Sequence, residues 1–419
     1  MKSSGLLRST LTLLAGSALA QLLPLLLGPW LTRIYTPTEF GQFGFLWALA
    51  SNLAVVACAR YEFALPMEME DSAAAVLLAL CARVLLCVVL LAGLVGLLLW
   101  RWQDLALAWG LPLAVLAAAL TQALTLWATR AQRFQALALA RVAQYGGGAL
   151  LQLLLGLAGA GVAGLLLGPV VAGVVAALML ARPAPLGGWA ALWRMPVAVL
   201  KPMAIKHRDF PLLNTPHAFA GALQDSLAMI LIAAWSGDAS AGYWALALRY
   251  LKAPASLVGG ALSQVLYARL VQARHSGTES LRLVRQCMAL LLLLALPMMG
   301  ALMLWGPALF AAVFGERWQD AGELARALAP YIALHFVASP MSVAMMAWGA
   351  QAWGLRLALF GQVLFVLGLV AGLWLGGLIG AAWGVSAAML AYFAYFFWAL
   401  AHWKTFPAHQ NPTPNEYQN

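Results

Sequence analysis

Charge is scarce in this chain of 419 residues. Only 9% of its positions are Asp, Glu, Lys or Arg, against roughly 25% in an ordinary soluble domain. No long polar stretch occurs before the tail, so at most a very small water-soluble domain can form. Cysteine is limited to Cys58, Cys81, Cys87 and Cys287, all in apolar segments and none in a CxxC pair. They read as small core hydrophobes, neither disulfides nor metal ligands. The six histidines are scattered, with no HExxH motif or His/Cys cluster, so no metal is expected. Nothing resembles a phosphate loop, which argues against ATP hydrolysis by this chain. No cofactor is implied.

What the chain does have is apolar length. It is 64% hydrophobic, with a mean hydropathy of +0.86. This composition describes an all-α polytopic membrane protein, since lipid offers backbone groups no outside partner. The formal charge of +10 sits mainly in short loops. It therefore reads as topology and contact with anionic headgroups, with no nucleic acid involved. Apolar runs lie near 11–34, 40–61, 73–99, 104–127, 136–158 and 160–181, and again near 211–235, 240–262, 284–306, 327–349, 354–375 and 378–402. Each is long enough to cross about 30 Å of hydrocarbon, giving about twelve spans. Ala18-Leu19-Ala20 looks like a signal-peptidase site, but the apolar run continues to Ile34. The expectation is an uncleaved first helix.

Basic residues orient these spans. With the N-terminus in the cytoplasm, sixteen of the 24 Lys and Arg residues fall on the cytoplasmic side. Arg33, Arg101, Arg317 and Arg326 fall on the other side. The positive-inside rule thus predicts both termini in the cytoplasm. The longest loop, 182–210, contains Trp189, Trp193, Arg194, Lys201 and Arg208. It reads as a cytoplasmic amphipathic, interfacial segment joining two lobes. Residues 316–326 are expected as a short helix at the outer surface, and the tail 404–419 as disordered.

An internal repeat accompanies the span count. Phe40-Gly41-Gln42-Phe43 opens the second predicted helix, and Ala241-Gly242-Tyr243-Trp244 opens the eighth. Six spans per half make the halves parallel repeats, here a lobe over 1–181 and a lobe over 211–403. Four cations lie inside the spans: Arg83, Arg141, Arg249 and Lys252. A charge in hydrocarbon costs at least about 2.5–3.5 kcal/mol, so such residues face a bundle interior or a watery cavity. Fixed positive charge there suits an anionic cargo.

The N-terminal stretch carries Ala15-Gly16-Ser17, Ala20-Gln21-Leu22 and Pro29, then Leu31-Thr32-Arg33-Ile34-Tyr35-Thr36-Pro37-Thr38-Glu39-Phe40-Gly41. Arg60-Tyr61-Glu62, Ala64 and Pro66 continue it. A second stretch begins at His207-Arg208-Asp209-Phe210-Pro211 and runs through Gly242-Tyr243 to Pro254. In these residues the chain resembles polysaccharide and O-antigen flippases of the Wzx type. These belong to the multidrug/oligosaccharidyl-lipid/polysaccharide exporter superfamily. The resemblance implies two six-helix lobes forming a V, as in the multidrug and toxin exporters. It implies transfer of an undecaprenyl-diphosphate-linked oligosaccharide between leaflets of the bacterial inner membrane. It also implies coupling to an H+ or Na+ gradient, and polymerase and chain-length machinery as partners. Drug exporters of the superfamily often carry an acidic ion site in the first helix. That helix has no Asp or Glu here, which counts against a drug antiporter. The enzyme alternative, a membrane glycosyl polymerase or ligase, usually presents a large periplasmic loop, and none is seen.

Within that frame the candidates divide. Arg249 and Lys252 share one face of the eighth helix. Asp225 lies at matching depth in the seventh, where it pairs with Arg249 for cargo passage or only neutralises it. Arg83, about 15 Å along its helix by a rise of about 1.5 Å per residue, is a cavity cation with Glu62 as a possible partner. Arg141 either snorkels or faces the cavity. Arg60 and Glu62 form either a local gate or a helix anchor. Arg33 lies near the outer exit. Gln21, Asn52, Gln122, Gln144, Asn214, Gln224 and Gln264 read first as inter-helix hydrogen bonders.

Overall fold

The computed structural model describes residues 3–103, 107–273 and 277–404; the tail beyond Lys404 lies outside the described residues. So do the side chains of Lys2, Arg8, Gln264 and Arg274. The described residues form helices and turns with no strand. They divide into two compact units, Met1–Leu246 with Phe310–Gln319, and Ala247–Leu309 with Asp320–Asn419.

The first unit is built from α1 (Ser3–Ile34), α2 (Pro37–Val56), α3 (Asp71–Gln103), α4 (Leu111–Arg130), α5 (Phe134–Arg141), α6 (Gly148–Leu157), α7 (Gly161–Leu180), two short helices α8 (Trp189–Arg194) and α9 (Val197–Lys206), then α10 (Thr215–Ser236) and most of α11 (Asp238–Leu251). Among the described residues, six helices are individually long and apolar enough to cross a membrane, and the bent pair of α2 with Tyr61–Met67 makes seven. About twelve spans were expected. The difference lies in interruptions. A π-helical stretch over Val142–Gly147 divides the run at 136–158, and another over Phe210–Asn214 precedes α10.

Local chemistry explains the first turn. Thr36 caps α2: its hydroxyl accepts from Glu39 N at 3.3 Å, and Glu39 Oε2 accepts from Thr36 N at 2.7 Å. With Pro37 at the first helical position, this capping box stabilises the start by about 1 kcal/mol. The repeated glycines then meet. A Cβ on Gly41 would stand 2.6 Å from the Asp238 carbonyl carbon and closer still to its oxygen. One on Gly242 would stand 2.8 Å from the Pro37 carbonyl carbon. The starts of α2 and α11 therefore cross backbone to backbone, and Gln42 donates to Asp238 Oδ2 at 3.0 Å across the crossing. Asn52 bonds Ser226 on α10, an inter-helix hydrogen bond of the expected kind.

The loop at 182–210 folds onto this unit. Its Leu192 and Leu200 are buried in the same core as Ala74, Leu77, Leu78 and Cys81 of α3. Trp127 Nε1 donates to the Pro183 carbonyl at 2.8 Å and Tyr61 OH to the Ala204 carbonyl at 3.3 Å. Arg133 donates to the Arg182 carbonyl. Glu68 Oε1 accepts from Lys206 Nζ at 2.5 Å and meets His207 Nε2 at 2.6 Å. Arg130 holds the other side of that turn, 2.7 Å from Asp71 Oδ1 and bonded to the Glu68 and Met69 carbonyls.

This docking explains the length of α3. Its 33 residues span about 50 Å at 1.5 Å per residue, well beyond a hydrocarbon core of about 30 Å. Residues 74–85 bury against protein, including the linker, whereas the exposed apolar face begins at Leu86 and runs to Trp102.

The second unit contains the end of α11, α12 (Ala253–Gln272), α13 (Gly277–Phe314) up to Leu309, α14 (Gln319–Met341), α15 (Val343–Ala347) and α16 (Gln351–Ala401). The predicted eighth span breaks at Lys252, which caps α12 ahead of Pro254. α16 holds two predicted spans, parted at Gly376–Gly377, where Gly377 has φ 57°. Its two halves pack through Gly368, Gly372, Gly380 and Gly384, where small residues let backbones approach. The short helix expected over 316–326 is instead a 3-10 turn, Glu316–Trp318, leading directly into α14. Trp318 is fully buried, donates Nε1–H to the Thr32 carbonyl at 2.9 Å, and stacks edge-on against Phe40 and Tyr243.

Candidate functional site

A cavity of about 670 Å³ lies inside the first unit. Its charged lining is Arg60, Glu62 and Arg141, accompanied by Gln21, Gln122 and Gln144. Each comes from a different local device.

Arg60 and Glu62 are delivered by a turn after α2. Ala59 and Arg60 both adopt left-handed backbone, φ 47° and 62°. Two such residues without glycine cost of order 1–3 kcal/mol each and persist only when packing fixes them. The chain then enters the 3-10 segment Tyr61–Met67, bent 49° from α2. Glu62 is 2% exposed, and its Oε2 has no hydrogen-bond partner among the described residues. The same holds for Arg60 Nε, while the Arg60 guanidinium lies 4.7 Å over the Phe63 ring.

Arg141 ends α5, where the helix opens into the π-helical turn. Wider π turns recur at functional sites. Here the turn sends Gln144 and Tyr145 to the cavity with Arg141. α4 contributes Ala118, Thr121, Gln122 and Thr125, a face at i, i+3, i+4 and i+7. The single Thr121 hydroxyl hydrogen is shared between the Ala117 and Gly173 carbonyls, and Thr125 Oγ donates to the Thr121 carbonyl, all at 2.7–2.9 Å. Their hydrogens are spent inside the protein, so these hydroxyls offer the cavity acceptors only. Trp47 and Ser51 of α2 complete one wall, and Trp47 stacks on Phe43 with ring centres 5.7 Å apart.

The chemistry on offer is specific. Two guanidiniums bind phosphate through paired, charge-assisted hydrogen bonds. Amide and hydroxyl groups match sugar hydroxyls, and an indole face suits a pyranose ring.

Arg60, Glu62 and Arg141 are thus brought to one cavity. Arg83 is engaged elsewhere: its guanidinium donates to the Trp193 carbonyl at 3.3 Å and to the Met195 carbonyl. It pins the linker at the level where the exposed face of α3 begins, which the count from the start of the helix could not reveal. Arg33 is exposed in the last turn of α1. Arg249 lies in the last turn of α11 and Lys252 at the break before α12, both half-buried. Cations at that helix end face the negative pole of its dipole. Asp225 lies on α10.

Sequence reasoning passed over Trp47, Ser51, Thr121, Thr125 and Tyr145. The polar face of α4 within an apolar span was a usable signal, as was Gly146-Gly147-Gly148 beside the π turn. The turn at Ala59–Arg60 carried no signal, having neither glycine nor proline.

Comparison with known proteins adds a frame. A family model described as polysaccharide biosynthesis protein matches residues 30–323. No curated protein matches the chain. Among solved structures, the chain is similar to the lipid II flippase MurJ in an inward closed conformation, at 10% identity and a TM-score of 0.73. That likeness covers 94% of this chain and 90% of that one. It is similar to an inward-facing multidrug resistance MATE family transporter of the MOP superfamily, at 15% identity and a TM-score of 0.62, covering 93% and 95%. A mutant of the Vibrio cholerae MATE transporter VcmN gives 14% identity and a TM-score of 0.52, covering 94% and 95%. At these identities the likeness is one of fold.

Proposed function

Since the chain belongs to the polysaccharide biosynthesis protein family, we propose that it is a flippase for an undecaprenyl-diphosphate-linked oligosaccharide. It carries the repeat unit of an O-antigen or exopolysaccharide from the cytoplasmic to the periplasmic leaflet of the inner membrane. It works by alternating access of two six-helix halves, 1–181 and 211–403, with both termini in the cytoplasm and coupling to H+ or Na+. It changes no covalent bond of its cargo. A polymerase and chain-length machinery receive the product.

The observation that carries this reading is the cavity in the first unit, where Arg60 and Arg141 stand among three glutamines and an indole. A diphosphate needs paired cationic donors, and a glycan needs amides, hydroxyls and an aromatic wall. Glu62 is the acid among the residues lining that cavity. Arg249 and Lys252, flanking a broken helix, are the candidate cations of the second unit. Discontinuous helices recur at transporter sites.

The test uses full-length protein in vesicles with a labelled lipid-linked oligosaccharide. Wild type moves the label between leaflets without altering its covalent structure. Arg60→Gln and Arg141→Gln each remove charge-assisted hydrogen bonds of about 1.5–3 kcal/mol, so each slows transfer by about tenfold or more. Transfer at the wild-type rate by both variants sinks the proposed site. A covalently altered glycan makes the chain an enzyme instead.

A further inference from the structure

The linker helices α8 and α9 have two unlike faces. The inner face is consumed: Leu192 and Leu200 are each 4% exposed, and Arg83, Tyr61 and Glu68 hold the backbone or side chains at both ends. The outer face is open and mixed. Trp189, Trp193, Val197 and Ile205 are exposed, and so are Arg194, Lys201, Lys206 and Arg208. Residues 182–208 contain no Asp or Glu.

The contacts also order this face by depth. The carbonyls of Trp193 and Met195 sit at Arg83, one turn before the exposed apolar face of α3 begins at Leu86. Lys206 and His207 sit at Glu68, which precedes the first residue of α3. α9 therefore runs back along the first turns of α3, about 15 Å for its ten residues. Trp193, Arg194 and Val197 fall at the edge of the apolar belt, and Lys201, Ile205, Lys206 and Arg208 fall outside it. Aromatics at the hydrocarbon edge with cations beyond it match the chemistry of a lipid surface.

We propose that the outer face of α8 and α9 docks on anionic phospholipid headgroups of the bilayer that holds the chain. The occupant is a lipid surface because exposed apolar and cationic side chains share one strip, and because residues 182–208 carry no acid. An acidic protein would need the cations alone. Bound lipid would hold the linker against α3 and fix the turn that carries Arg60 and Glu62, since Tyr61 bonds the same linker.

The experiment places full-length chain in lipid nanodiscs of phosphatidylcholine alone or with one-third phosphatidylglycerol. It follows amide hydrogen exchange of residues 189–206. Phosphatidylglycerol slows exchange in the wild type, and high salt reverses the effect. Each Lys or Arg near an anionic surface contributes about fivefold, so Lys201→Gln with Arg208→Gln loses about twenty-five-fold of the protection. Neither residue touches the cavity or the Glu68 contacts, and in phosphatidylcholine the variant exchanges like wild type. Equal exchange in the two lipid mixtures overturns the proposal and leaves an acidic protein as the partner. Equal protection by inorganic phosphate in phosphatidylcholine discs overturns it in favour of a free anion. Undiminished protection of the double variant overturns it as well. The readout involves no transport, so the flippase reading stands or falls separately.

Discussion

Replacing Gly41 with alanine puts a methyl carbon 2.6 Å from the Asp238 carbonyl carbon and 3.0 Å from Gly242 N. Carbon atoms in contact prefer about 3.5–4.0 Å. The Asp238 carbonyl oxygen is nearer still, so α2 and α11 must part by more than about 1 Å at this crossing. The neighbouring atoms are backbone, so no side chain can swing away to absorb the strain. Overpacking of this kind costs about 1–3 kcal/mol and occasionally more. The upper end applies here, because Gln42 to Asp238 stretches from 3.0 Å at the same time. Gly242→Ala strikes the same crossing from the other side, 2.8 Å from the Pro37 carbonyl carbon and 3.0 Å from Gly41 N. Once the first methyl has opened the crossing, the second finds room. The pair should therefore cost clearly less than the sum of the singles, a coupling of about 1 kcal/mol or more. Thermal unfolding of the purified chain in detergent measures all three variants. Gly16 tests specificity: a Cβ there meets Ala138 Cβ at 2.7 Å on α5, away from this crossing, so Gly16→Ala and Gly41→Ala should add. A Gly41→Ala protein that melts like wild type, or a fully additive Gly41/Gly242 pair, refutes the reasoning.

The linker offers two further predictions. Arg83→Gln removes charge-assisted bonds to the Trp193 and Met195 carbonyls. Such bonds contribute about 1.5–3 kcal/mol, so proteolysis of residues 189–200 should rise tenfold or more. Unchanged proteolysis with lost glycan delivery would return Arg83 to the role of a cargo cation. The second prediction concerns pH. The hydrogen bond from Lys206 holds the Glu68 carboxyl below its ordinary value of 4.5, burial opposes this, and His207 adds to it. A folded pKa below the unfolded one gives stability that is complete above about pH 4.5 and is lost as pH falls through the folded value. Linker proteolysis should thus increase on acidification below pH 4.5 in wild type. Glu68→Gln should show the loosened state already at pH 7. A variant as resistant as wild type at pH 7 would remove Glu68 from this contact.

Much of the architecture was legible in the residues because it rests on local chemistry. Sixty-four per cent apolar composition leaves helices as the means of crossing lipid. The capping box at Thr36 and Glu39 needs only its own four residues. The two glycine motifs, paired by position alone, proved to lie against each other. The break between the last two predicted spans follows from Gly376-Gly377, and α16 turns there.

The site was less legible, because a charge in an apolar run looks the same whatever it faces. Arg83 read in the sequence as a cavity cation, yet it is bound to linker carbonyls more than a hundred residues away. Arg60, Glu62 and Arg141 looked like features of the membrane edge, yet they share one cavity. Composition and hydropathy settled that this chain lies in a membrane as helices, since the cost of an unpaired backbone in lipid depends on no particular neighbour. Which cations would line a cavity was left to the tertiary structure. That choice turns on a left-handed turn without glycine, a π-helical turn and a linker laid along α3, each held in place by packing between segments distant in the chain.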